Sequence, residues 1–312
     1  MNIYEQVAHN RRWTWFIVSI FILFFLFMGL GFDYYYGVRI DMPIFTVLAI
    51  LFGVIMAYSG WRYGDKLVLS STHARDLDLR DPKQKQWQNL VEEVSIAAGV
   101  PLPKTYIIDD PDPNAFATGR SPETASIAVT CGLLDALNRD ELQAVAAHEM
   151  SHVKNFDIRL MLMIAVLVGS VALMADWARR GLFYGNRRSS RRSGGSGYIG
   201  FIILVIWLVT VILAPLLSQL MAMCVSRKRE YLADASGAEL TRNPLALASA
   251  LEKISSYVQP TRSINQGTAH LCICDPKGQA IGVKEGWTAD LFATHPSIQK
   301  RIEALRHMAY IR

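Results

Sequence analysis

Cysteine is scarce in this sequence, and its four residues, Cys131, Cys224, Cys272 and Cys274, are too few and too irregularly placed for a disulfide framework. Reduced thiols facing a cytoplasm fit that count best. Cys272-Ile-Cys274 falls one residue short of the usual Cys-x-x-Cys ligand spacing and has no partner pair elsewhere. Charge is scarce as well, at 19% of residues against 51% hydrophobic, with a positive mean hydropathy of +0.20 and a formal net charge of only +5. Much of that excess is in Arg179, Arg180, Arg187, Arg188, Arg191 and Arg192, which share one loop with Gly194, Gly195 and Gly197. A nucleic-acid role would want basic residues interleaved with aromatics on a folded surface, whereas a loop flanked by apolar runs points to anionic lipid headgroups as neighbours. The long apolar runs lack internal charges, which argues against a carrier or channel. A cleaved signal peptide has a shorter apolar core and a small-residue cleavage site, and neither is evident before Asp33, so a retained helix is expected.

The apolar runs themselves are abundant. Trp13 to Phe32 is free of charge and is preceded by Arg11-Arg12, so it predicts a retained transmembrane helix with its N-terminus inside. A second span is predicted from about Pro43 to Trp61 after the short loop Asp33 to Met42, which returns the chain to the cytoplasm near Arg62. Leu160 to Ala175 is a shorter third run, and Ile199 to about Val225 a longer fourth one that Pro215 should kink. If both crossed the bilayer, the arginine loop would lie outside against the positive-inside tendency, so a shallow or re-entrant hairpin stays open beside a full crossing. The expected fold class is mainly α with a small β-sheet, in an integral membrane protein with up to four transmembrane helices. Its expected parts are residues 1–61 as a transmembrane hairpin, 62–158 as the first part of a cytoplasmic catalytic domain, 159–225 as an apolar hairpin, and 226–312 as the second part of the catalytic domain.

Within residues 62–158, Gln84 to Gly99 has helical spacing ended by glycine. Lys104 to Asp109 and Ala125 to Thr130 read as strands around the short run Asn114-Ala115-Phe116-Ala117-Thr118. If that run is the exposed edge of a small sheet, an extended peptide can pair with it through main-chain hydrogen bonds. Directly after comes His148-Glu149-Met150-Ser151-His152, on a predicted helix that Asn138 and Glu141 open as a capping box. Two histidines four apart share one helix face and can hold one Zn2+, with Glu149 beside the metal to take a proton from its water.

Such a metal needs a third protein ligand. Ile158 stands six residues beyond His152, so the histidine-extended motif of another metalloprotease class is absent. Asp157, Glu230, Asp234, Glu239, His270, His295 and His307 all remain candidates. Glu230 and Asp234 are four apart on a predicted helix, so one can bind metal while the other hydrogen-bonds the second nitrogen of a ligand histidine. Downstream, Asn243 to Ile254 has helical core spacing. Gln259 to Thr288 reads as a surface loop or as a lid over the cleft, and Ala293 to Ile302 leads into a final helix. His295 can serve as a metal contact or oxyanion donor, and Arg301 as an orienting group.

Taken together, His148-Glu149-x-x-His152 with Asp157, Ser226-Arg-x-x-Glu230-x-x-Ala-Asp234, Asn114-Ala-Phe-Ala, Thr294-His-Pro296 and Arg301-Ile302 resemble the HtpX family of membrane zinc peptidases. The resemblance covers nearly the whole chain except the arginine loop. It implies a gluzincin-type protease domain with Glu230 as third zinc ligand and Asp234 and Asp157 behind the ligands. It also implies one zinc ion per chain and a catalytic domain on the cytoplasmic side of the bacterial inner membrane, where damaged or misfolded membrane proteins are cleaved. Processing of lipidated peptides ranks below that activity, because four apolar runs are few for walling off a large chamber.

Overall fold

The computed structural model describes residues 3–35, 42–167, 227–257, 263–264, 271–274 and 297–310. The fourth apolar run, the arginine loop and His295 lie outside the described residues, as does the third run beyond residue 167.

Two long helices come first, α1 (Ile3–Tyr35) and α2 (Ile44–Ser71). They are joined by a buried cap: the Asp33 carboxylate accepts from the Phe45 and Thr46 amides at 2.9 Å each, satisfying donors that the start of α2 leaves without helical partners. The backbones meet closely there, since a side chain at Gly29 would come within 2.4 Å of Thr46 Cα. By length and composition α2 can cross a membrane, while the apolar stretch Arg12–Leu26 of α1 is shorter. Both helices leave large apolar residues exposed, among them Trp15, Phe16, Leu48, Leu51 and Ile55. α2 continues as helix beyond the predicted end of the second span near Trp61 and runs to Ser71, with no proline before Thr72 to stop it.

Four strands form one mixed sheet in the order β1-β2-β4-β3. They are β1 (Arg75–Asp76), β2 (Lys104–Ile108), β3 (Ala115–Thr118) and β4 (Ser126–Thr130). Three are the expected ones, and β1 adds a two-residue antiparallel partner to β2. β2 and β4 run parallel, and β3 pairs antiparallel with β4, Phe116 opposite Ala128. β3 therefore ends the sheet, as expected.

Helix α3 (Pro82–Ala98) is capped by Asp81 and closed by Gly99 in the left-handed conformation at φ 68°. After the short α4 (Cys131–Ala136) comes α5 (Arg139–Lys154), which carries the two histidines. Its capping box is complete: Asn138 Oδ1 accepts from the Glu141 amide at 3.0 Å and Glu141 Oε2 from the Asn138 amide at 2.8 Å. Glu141 also accepts from Ser249 and Lys253, at 2.7 Å each, tying the cap to a later helix. Residues 157–167 form α6, whose apolar side chains pack against α1 and α2. The chain reappears as α7 (Arg227–Thr241), α8 (Pro244–Ser256) and α9 (Ile298–Tyr310). One core cluster joins α3, the sheet, α5, α8 and α9, with Trp87, Ile127, Val145, Met150, Leu247 and Leu305 essentially inaccessible.

Candidate active site

The centre lies where α5 crosses α7. Glu230, Asp234 and Gly237 follow one another at helical spacing on α7, so they share a face. At Gly237 the two backbones touch: a Cβ there would lie 3.0 Å from the His148 amide nitrogen and 3.2 Å from the Ala147 carbonyl carbon. That close approach carries Glu230, two turns earlier, over the imidazoles of α5. Glu230 Oε2 is 3.8 Å from His148 Nε2, and Oε1 is 3.7 Å from His152 Nε2. These distances are too long for hydrogen bonds, yet close to the roughly 3.4 Å that separates two ligands held at about 2.0–2.1 Å from one tetrahedral cation. One ligand atom from each of the three residues lies within 4.8 Å of the others, and all three side chains are buried.

Each histidine is held from behind. His148 Nδ1 faces Asp234 Oδ1 at 3.0 Å, and His152 Nδ1 faces Asp157 Oδ2 at 3.1 Å. Carboxylates in those positions fix the tautomer that turns Nε2 toward a metal. Asp157 reaches His152 because Phe156 takes a left-handed conformation, φ 60°, that ends α5 and folds the chain back into α6. Asp234 in turn accepts a two-pronged pair from Arg301, Nε to Oδ2 at 2.8 Å and Nη2 to Oδ1 at 2.7 Å. Arg301 is fully buried, and its Nη1 donates to the Ile273 carbonyl at 2.9 Å and stands 3.5 Å from Glu230 Oε2.

Glu149 is 1% exposed, and among the described residues neither carboxylate oxygen has a hydrogen-bond partner at full strength, the Ala117 amide lending it only weak support. Burial, reinforced by the Glu230 carboxylate, pushes its carboxyl up to about 7. A buried carboxylate so short of donors is costly, and a cation beside it removes that cost, which is the first test the residues pass as a metal centre. His148 passes a second one. Burial drives His148 below the usual imidazole range in spite of Asp234, so it is neutral and ready to ligate. His152 goes the other way: against the burial penalty, Asp157 and Glu230 lift it to about 9. Burial also disfavours the Asp234 carboxylate, but the Arg301 guanidinium holds it below its usual range.

The family model described as Peptidase family M48 matches residues 81–309. The chain belongs to peptidase family M48. Within M48 it is of the HtpX type. The protease HtpX homolog of Caldanaerobacter subterraneus subsp. tengcongensis is 41% identical over 98% of both chains. That of Dictyoglomus turgidum is 41% identical over 98% of this chain and 94% of its own. That of Streptococcus uberis is 38% identical over 98% of this chain and all of its own. Among solved structures, the crystal structure of S. mikatae Ste24p aligns with a TM-score of 0.49 at 20% identity, covering 90% of this chain and 61% of that one. As an M48 member the chain is a metalloprotease.

Of the residues singled out in the sequence, the structure brings together His148, Glu149, His152, Glu230, Asp234, Asp157 and Arg301 in this M48 site. His295 lies outside the described residues. The run Asn114-Ala115-Phe116-Ala117 ends the sheet beside α5, but it is not an exposed edge. Ala115 to Thr118 are buried, and Phe116 forms an antiparallel bridge with Cys272 on the outer side. The Ile273 amide donates to the Ala115 carbonyl at 3.0 Å, and Asn114 Nδ2 to the Cys274 carbonyl at 3.3 Å. The reason is that outward backbone groups of a buried edge need partners, and residues 271–274 supply them. Cys272 and Cys274 are thus buried packing residues within this strap.

Two contributors lie outside the motif: Gly237 at the helix crossing, and Asn10, whose Nδ2 donates to Asp157 Oδ1 at 2.6 Å. Gly237 could have been found as the next same-face position after Glu230 and Asp234. Asn10, on α1, carries no local signal at all.

Proposed function

We propose that this M48 protease is a membrane-anchored zinc endopeptidase that cleaves damaged or misfolded membrane proteins at the cytoplasmic face of the bacterial inner membrane. The observation that carries the reading is the convergence of ligand atoms from His148, His152 and Glu230, with the buried Glu149 carboxyl on the same helix as the two histidines. Two imidazoles and a carboxylate are the donor set that suits zinc. A zinc ion held by these three would polarise the scissile carbonyl and acidify the attacking water. Glu149 takes that water's proton and returns it to the leaving amine, a role favoured by a carboxyl pushed up toward neutrality. Asp234 and Asp157 keep the imidazoles turned to the metal, and Arg301 holds Asp234.

The substrate lies extended along β3, in the place that residues 271–274 fill, so that main-chain hydrogen bonds to Ala115 and Ala117 lay it beside Glu149. Binding through backbone groups reads little of the side chains, which suits unfolded chains. Placement at the bilayer surface is supported by Asn10. It stands three residues before the apolar run that begins at Trp13, about 5 Å along a helix, and it touches Asp157 behind His152.

The test compares zinc content and cleavage of an unfolded membrane-protein substrate for the native chain, Glu149→Gln and Glu230→Ala in detergent. Glu149→Gln is expected to keep its metal and lose cleavage, and Glu230→Ala to lose both. Equal cleavage by the native and Glu149→Gln chains would sink the catalytic assignment.

A further inference from the structure

We propose that Asn10, on the first helix, is a positioning residue for the metal ligand His152. The inference rests on the metal-site reading above and adds a part of the chain that the ligand motif does not reach. Asn10 lies on the polar side of the apolar run, yet it is only 2% exposed. Its Nδ2 donates to Asp157 Oδ1 at 2.6 Å and to the Asn155 carbonyl at 3.3 Å. Its Oδ1 accepts from Arg229 Nη1 at 3.3 Å, and Arg229 precedes the ligand Glu230.

One amide therefore clamps three things: the turn that ends α5, the carboxylate behind His152, and the residue next to the third ligand. Asp157 is fully buried, and its two oxygens divide their work. Oδ2 faces His152 Nδ1 and Oδ1 takes the Asn10 amide. With the second oxygen pinned, the carboxylate cannot rotate away from the imidazole. Without it, Oδ1 is left buried with no donor among the described residues, and the carboxylate must turn or draw in water. Either response loosens the His152 ring and weakens the site as loss of other groups behind metal-bound histidines does, by about 10–100-fold in affinity. Asparagine suits the position because a neutral amide both donates to Asp157 and accepts from Arg229. The first helix thus supplies part of the metal site as well as an anchor.

The test uses the full-length chain in detergent and measures zinc affinity by competition with a chromogenic chelator, with the visible spectrum of the Co2+-substituted protein as a second readout. Asn10→Ala is expected to weaken zinc binding about 10–100-fold and to shift the Co2+ ligand-field bands. In an Asp157→Ala background it is expected to change affinity by less than about threefold, because its action passes through that carboxylate. Phe21→Ala, which removes a buried packing residue of the same helix, controls for loosened hairpin packing and should leave zinc affinity unchanged. Native affinity in Asn10→Ala, or an equal loss with and without Asp157, would overturn the proposal. His152→Ala separates the two levels of inference: if neither the native chain nor this variant binds zinc stoichiometrically, the metal-site reading itself fails.

Discussion

Arg301 offers the most demanding check on how the site is held. Its guanidinium is fully buried and spends two donors on Asp234, one on the Ile273 carbonyl, and faces Glu230 at 3.5 Å. Replacing it with leucine leaves the Asp234 carboxylate buried with, among the described residues, only His148 beside it. Removing one partner of a buried ion pair costs about 3–5 kcal/mol, chiefly from the charge left behind. At about 2–4 °C of midpoint per kcal/mol for domains of 150–250 residues, Arg301→Leu should lower the thermal midpoint by roughly 6–20 °C. Zinc affinity should fall about 10–100-fold, since Asp234 no longer fixes His148. Arg301→Lys keeps the charge but cannot span both Asp234 oxygens and Ile273 together, and should fall between. The double variant Arg301→Leu/Asp234→Leu should lose less stability than the two single losses added, because the stranded charge is gone. The assays are tryptophan-fluorescence melting in detergent and zinc competition. A midpoint within about 2 °C of native, or strictly additive losses, would refute the idea that this pair fastens α9 to α7.

Gly237→Ala brings a methyl to 3.0–3.2 Å from the backbone of His148 and Ala147, where nothing flexible can yield. Overpacking of about 1–3 kcal/mol outweighs the roughly 1 kcal/mol that alanine gains over glycine in a helix, so melting should show a net loss. Gly237→Val should be worse, and a stabilised Gly237→Ala would contradict the close crossing. Zinc uptake by the metal-free protein should release protons. His152, raised to about 9, is charged at pH 7 and must become neutral to ligate, so apparent affinity should climb as pH rises from about 7 to 9. Calorimetry in buffers of different ionisation enthalpy measures the release, and a buffer-independent heat would argue against it. Ile273→Pro removes the donor to the Ala115 carbonyl, so loosening the strap should lower KM for an extended peptide; an unchanged or higher KM would mean the substrate lies elsewhere.

What could be read from the sequence is what local geometry encodes. The capping box at Asn138 and Glu141, the His148 and His152 pair, and the Glu230 and Asp234 pair each depend on residues three or four apart on one helix. The two carboxylates needed only that rule and the chemistry of a metal-bound imidazole to be given separate tasks. Three strands and the helices α3, α5, α7, α8 and α9 were legible from local spacing as well. The strap was not, because Cys272 and Ile273 meet β3 across more than 150 residues of chain, and nothing in Cys-Ile-Cys announces a pairing partner.

Asn10 shows the limit most sharply. Hydropathy reads the first helix as an anchor, an average over some twenty residues in which one polar side chain at the end counts for almost nothing. Its partner Asp157 is 147 positions away, and the contact exists only because α6 packs between α1 and α2. A polar residue just outside an apolar run looks like an interfacial cap until the fold puts a buried carboxylate against it. In a protease whose metal helix leads straight into an apolar helix, the boundary of the run is also the wall of the site. Residues there answer to two demands at once: they must tolerate the membrane surface and satisfy the groups behind the metal. Of the two, only the first leaves a pattern in the sequence.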